Sequence, residues 1–192
     1  MRFHHHSGTD IEIVVGNIAF EECDAIVNAA NASLLAGSGV CGAIFAGAGE
    51  KLQPECNEII NSLGRNLYTS EAVLTSGCSL KAKYIIHAVA PKCMMRWDEK
   101  IDNTMRSLYK NIYALAEKEG CTSIAIPAMG TGVYRCDPIK STDIAIDELL
   151  VFLENHKNHV IKKIRFVVHG KEMANVYIDT LRLAIQHDGV QS

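Results

Sequence analysis

An apolar strand that breaks into glycine constrains this chain more than any other feature. From Asp24 to Gly49 the sequence reads DAIVNAANASLLAGSGVCGAIFAGAG. Ala25-Ile26-Val27 has the unbroken apolar character of a strand covered on both faces. Asn28 and Asn31 follow, then the glycine-spaced segment Ala36-Gly37-Ser38-Gly39-Val40-Cys41-Gly42, then the small residues of a helix start. A strand that empties through glycines into a helix N-terminus suits an anion. Small residues let the backbone approach, and uncapped N–H groups and the helix dipole supply positive potential. The first expectation is therefore a phosphate-bearing ligand.

The rest of the chain alternates in the same way. Strands are expected at Ile11–Val15, Ala25–Asn28, Glu71–Thr75, Tyr84–Val89, Ser123–Ile126 and Ile164–Val168. Helices are expected at Ile44–Ala48, Lys51–Leu63, Asp98–Glu119, from Pro138 to about Asn155, and at Glu172–His187. The clearest is Asp98–Glu119, where Ile101, Met105, Leu108, Ile112 and Leu115 recur at helical spacing and Gly120 ends the run. Asp137-Pro138 reads as an N-cap followed by proline at the first helical position. Continuous apolar strands between helices mean a sheet covered on both sides, so the fold class is α/β, a three-layer α/β/α sandwich. With 192 residues the chain is long enough for one such domain and short for two.

Met1 to Gly8 contains the triplet His4-His5-His6. We read residues 1–8 as tag sequence or a disordered N-terminus, with a native metal-binding triplet as the alternative, place the single domain at 9–192, and assign no metal ligand. No run approaches the length of a membrane span. The net charge of −3 offers no global field for nucleic acid, and an aromatic content of 6% gives few stacking platforms, so nucleic-acid binding is disfavoured. Seven cysteines with no C-x-x-C pair argue against a zinc site or a disulfide framework and fit a reducing cytoplasm.

A second glycine-rich loop, Ala128-Met129-Gly130-Thr131-Gly132-Val133-Tyr134, follows Ser123–Ile126 and Pro127. Ligands of open α/β sheets bind beyond the carboxyl ends of the strands. Two such loops at one rim can grip a diphosphate from both sides, although each set of glycines could also serve a tight turn. Asn28 and Asn31 can exchange hydrogen bonds with sugar hydroxyls or cap the loop. Asn17, after Gly16, suits either an adenine edge or a turn. A thiol at a helix N-terminus can have a lowered pKa, so Cys41 would become a nucleophile if it met His87.

Several blocks carry a resemblance: Gly16-Asn17-Ile18, Asp24 to Asn31, Gly39-Val40-Cys41-Gly42-Ala43-Ile44, Ile85-Ile86-His87-Ala88-Val89 and Gly130-Thr131-Gly132-Val133-Tyr134. In this order they resemble the macrodomain family, in its MacroD-type branch, over nearly the whole chain. The resemblance implies a central mixed, mostly parallel sheet. It also implies binding of ADP-ribose or ADP-ribosylated protein, and hydrolysis of mono-ADP-ribosyl esters or O-acetyl-ADP-ribose without a cofactor, by a monomer. It places Asn17 at the adenine amino group, Asn31 at the distal ribose, and the backbone N–H groups around Ser38–Gly42 and Gly130–Val133 on the diphosphate, with Ile18, Asn28, Gly37, Ala128 and Met129 as further ligand-binding positions. Tyr134 would cover the distal ribose and His169 would lie near the adenine.

The chain departs from the branch at defined points. Asn17 stands in place of an aspartate, and Cys41 in place of the aspartate that orients or activates water. Phe45 replaces a histidine one helical turn later. The resemblance therefore implies either substrate-assisted hydrolysis, with Asn31 positioning and Cys41 at the position of the missing acid, or a non-catalytic ADP-ribose reader.

Overall fold

Alternation within each strand decides which layer its side chains join. Ala25 and Val27 face one core and Ile26 the other; Ile124 and Ile126 oppose Ala125, and Ile86 opposes Ile85. In the computed structural model, which describes residues 1–156 and 159–187, these strands form one seven-stranded sheet. Its strands are β1 (Arg2–His4), β2 (Asp10–Val15), β3 (Ala25–Ala29), β4 (Ala72–Ser76), β5 (Tyr84–Ala88), β6 (Ser123–Ile126) and β7 (Lys163–Val168). Their spatial order is β1-β2-β7-β6-β3-β5-β4. The five inner strands run parallel, while the two edges, β1 and β4, are antiparallel to their neighbours.

Helices α3 (Glu99–Lys118), α4 (Pro138–Asn155) and α5 (Lys171–His187) cover one face. Met105, Leu108, Tyr109, Ile112 and Tyr113 of α3, one stripe at helical spacing, are buried there. Helices α1 (Gly39–Ala48) and α2 (Leu52–Leu63) cover the other, around Ile26, Ile44, Leu52 and Ile85. The three-layer α/β/α arrangement and the mixed, mostly parallel sheet are as expected.

Three expectations change. Helix α1 starts at Gly39, not Ile44, so Gly39 to Gly42 form its first turn. These residues are too small to show apolar periodicity, which is why the sequence hides them. Residues 1–8 are not outside the fold, because Arg2–His4 pairs with Asp10–Glu12 as an edge strand and Phe3 reaches the core. The domain therefore begins before residue 9, while 188–192 lie outside the described residues. Finally, Cys93 and Cys136 form a disulfide, with their Cα atoms 4.8 Å apart. The loops after β5 and β6 meet although β3 separates those strands, a closeness that spacing along the chain cannot reveal.

Candidate functional site

Parallel strands end on the same rim. Because β3 and β6 are neighbours, the segments after Ala29 and Ile126 are neighbours as well. The first segment leads into α1. Ser38 is the N-cap of that helix, yet its side chain makes no capping bond, and no acidic residue occupies the first turn. Among the described residues, the N–H groups of Ser38, Gly39, Val40 and Cys41 donate to nothing. A helix start left open in this way is a ready anion site. Gly37, Ser38 and Gly39 are exposed and Val40 half-buried. Two glycines are required by geometry. Gly39 has φ +58°, and a Cβ on Gly42 would lie 2.6 Å from the Gly37 carbonyl oxygen.

The second loop has the same character. Arg135 N donates to Gly132 O at 2.9 Å, and Cys136 N to Gly130 O at 3.0 Å. The N–H groups of residues 130–134 donate to nothing among the described residues. The loop is clamped from behind. Cys93 N and Met94 N both donate to Tyr134 O, at 3.0 and 2.9 Å, and the Cys93–Cys136 disulfide ties the same two segments. Ser141 Oγ holds Met129 O at 2.7 Å. Tyr134 is half-buried; burial raises its pKa, and the nearby Cys41 thiol raises it further, so the two loops approach each other there.

Behind them lies a buried polar chain. Asn28 is 1% exposed. Its Nδ2 lies 3.1 Å from His87 Nδ1 and donates to Cys41 Sγ at 3.7 Å. His87 Nε2 lies 2.9 Å from Thr75 Oγ1, which donates to Ser76 O. A neutral His87 with its proton on Nε2 accepts from Asn28 Nδ2 at Nδ1 and donates to Thr75 Oγ1. Asn28 Oδ1 is buried with no donor among the described residues. The amide nitrogen of Asn28 is turned inward, onto His87 and Cys41.

Asn31 sits at the loop exit. Its Oδ1 accepts from Leu35 N and Ser33 Oγ at 3.0 Å, and Nδ2 donates to Leu35 O at 2.7 Å. It clamps the loop and, among the described residues, keeps one N–H uncommitted. Cys41 is not an activated thiol: burial raises its pKa, and Asn28 stands between it and His87. Ile18 and Met129 bury their side chains in the two cores, so only their backbones can reach a ligand. Asn17 caps the short 3-10 turn Ile18–Phe20 by accepting from Ala19 N at 3.0 Å. His169 is exposed just beyond β7. Gly16 N donates to Val168 O, which brings Asn17 and His169 to the same corner of the rim. Thr75 and the loop-tying cysteines leave no local signature, because each matters only through a partner distant along the chain.

His87 carries an acid-stability signature. Burial pushes its pKa down from 6.5 to about 4. Below pH 6.5 the unfolded chain takes up this proton and the native state does not, so stability falls until about pH 4. At about 1.4 kcal/mol per pH unit, the loss is on the order of 3 kcal/mol. Urea unfolding at pH 7 and pH 4.5 should show a smaller acid loss in His87→Gln than in the parent; equal losses would place the proton elsewhere.

Comparison with known proteins follows the same lines. A family model described as Macro domain matches residues 27–145. A Macro domain-containing protein of Listeria monocytogenes is 41% identical over 168 residues, 88% of this chain and 94% of its own. An Enterobacter protein named O-acetyl-ADP-ribose deacetylase is 37% identical over 176 residues, 92% of this chain and 94% of its own. A macrodomain of Oceanobacillus iheyensis, solved with ADP, matches at a TM-score of 0.89 with 33% identity over 97% of each chain. A mutant of that macrodomain, solved with ADPR, gives 0.88.

Proposed function

This chain belongs to the macrodomain family, and from that premise we propose that it binds ADP-ribose and hydrolyses ADP-ribosyl esters, on proteins or in O-acetyl-ADP-ribose. The observation that carries the reading is the pair of undonated N–H sets, residues 38–41 and 130–134, beyond adjacent strands. Together they offer donors to a diphosphate from two sides. Asn17 and His169 mark the adenine end of the cleft. Tyr134 and the remaining N–H of Asn31 mark the distal ribose.

Preorganised donors supply what ester hydrolysis needs most, a fixed ground-state geometry and an electrostatic cradle. Among the described residues, those we assign to the distal-ribose end, Asn31, Cys41 and Tyr134, include no carboxylate or imidazole to act as a base. The Cys41 thiol is held protonated by burial. The reaction therefore relies on the substrate: a diphosphate oxygen orients a water and accepts its proton. The water oxygen bonds to the anomeric carbon as the bond to the ester oxygen breaks, and the carboxylate leaves. For O-acetyl-ADP-ribose the same water adds to the acetyl carbon, and acetate leaves as the ribose hydroxyl is restored. Asn31 positions; it does not transfer a proton.

Incubation with mono-ADP-ribosylated protein and with O-acetyl-ADP-ribose tests this, with release above buffer expected from at least one. Tight ADP-ribose binding with no release from either would establish the reader instead. That second reading is favoured by Cys41 and Phe45. The Phe45 ring packs edge-on to His87, with centroids 6.5 Å apart, and carries no proton-transfer group. Cys41→Asp should keep or raise turnover, because a carboxylate at this place can orient water. Complete loss of turnover with the fold intact would point to thiol chemistry.

A further inference from the structure

The opposite rim of the sheet gathers a second group of chemically capable side chains. After β1 the chain turns back into β2, with His5 N donating to Thr9 O and Gly8 N to His5 O, each at 2.9 Å. Gly8 takes φ +85° in this turn. The three histidines are not equivalent within it. His4 is 69% exposed and points to Asp10, with Nδ1 3.0 Å from the carboxylate. His5 and His6 point the other way, to the last turn of α4. His5 Nε2 lies 3.4 Å and His6 Nε2 3.1 Å from the same oxygen of Glu154. One ligand atom from each of the three lies within 4.8 Å of the others.

We propose that His5, His6 and Glu154 form a binding site for a divalent transition-metal cation of the zinc class, stapling the N-terminal turn to α4. Two imidazoles and one carboxylate are a donor set that zinc accepts, with water completing the shell. Bonds of about 2.0–2.1 Å to zinc require donor atoms roughly 3.2–3.5 Å apart, and the two distances to Glu154 lie close to that span. The His5 ring is held at Nδ1, which lies 2.8 Å from Ser7 Oγ and accepts from Ser7 N at 3.2 Å, so that Nε2 faces Glu154; a metal at Nε2 moves the ring proton to Nδ1, where Ser7 Oγ accepts it. The His5 side chain is 1% exposed, so the ligand sits in a fixed wall and not on a mobile tail. The rings of His5 and His6 are 4.2 Å apart.

The test uses the full chain, freed of metal by chelation, titrated with zinc by calorimetry and with cobalt by visible absorption. One ion per chain is expected, with a rise in melting temperature that grows with free zinc. The cobalt spectrum should show ligand-field bands without intense thiolate charge-transfer bands. Glu154→Gln and His6→Ala, both at exposed positions, should each weaken binding at least tenfold, and His4→Ala should leave it unchanged. The proposal is overturned by any of three results. These are no stoichiometric binding, His4→Ala weakening zinc as much as His6→Ala while Glu154→Gln has no effect, or a thiolate spectrum.

Discussion

Gly42→Val should lower ADP-ribose affinity by about 100-fold or more, about 2.8 kcal/mol at 1.4 kcal/mol per tenfold. The reason is local and steric. A Cβ at this position would stand 2.6 Å from the carbonyl oxygen of Gly37, and that neighbour is backbone. No side-chain rotation can relieve the contact, so residues 37–39 must swing away from α1. Those residues carry part of the donor row. They also lie against Asn31 and Cys41: a Cβ on Gly37 would be 3.4 Å from Cys41 Sγ and 3.8 Å from Asn31 Nδ2. Stability should suffer less than binding, because Gly37, Ser38 and Gly39 are exposed. Calorimetry with ADP-ribose, beside a circular dichroism spectrum of the folded variant, checks both halves. Unchanged affinity would mean that this loop does not touch the ligand.

Gly130→Val should be as damaging to binding and more damaging to the fold. Gly130 is buried and holds φ +76°, a conformation that a β-branched residue resists. Its added Cβ would lie 2.8 Å from Cys136 Sγ and 3.1 Å from Met105 Cε. The methionine can yield, but the sulfur is fixed in a disulfide. Strain and overpacking together should remove about 2–4 kcal/mol of stability. Urea unfolding measures that loss, and titration of the still-folded protein should show ADP-ribose affinity reduced by at least about 100-fold, about 2.8 kcal/mol. Gly64→Ala is the control. Gly64 has φ +66° but open space around its would-be Cβ, so this change should cost roughly 1 kcal/mol of stability and leave the ligand untouched. Equal binding losses in Gly64→Ala and Gly130→Val would show that strain alone, and not the loop, governs affinity.

What could be read beforehand was whatever short-range pattern determines. The apolar run at Ala25–Val27, the stripe from Ile101 to Leu115 and the Asp137-Pro138 start each encode an element locally, and each element is present. Both glycine loops were found for the same reason, since a strand followed by glycines is a local signature. What stayed hidden depends on distant neighbours. The inward turn of Asn28 is imposed by His87, on β5, and by Cys41, on α1. The clamp on Tyr134 comes from Cys93 and Met94, some forty residues earlier along the chain. The place of His5 and His6 beside Glu154 follows from β1 pairing with β2, a pairing too short to leave a periodic pattern.

Amide chemical shifts followed by NMR during an ADP-ribose titration reach the heart of the account, because the proposed donors are themselves the N–H groups. One saturable site should move the signals of Ser38, Gly39, Val40 and Cys41 together with those of Thr131, Gly132, Val133 and Tyr134, at a single apparent affinity. Saturation that leaves either row of amides unmoved, or no saturable binding at all, would contradict a diphosphate held between the two loops.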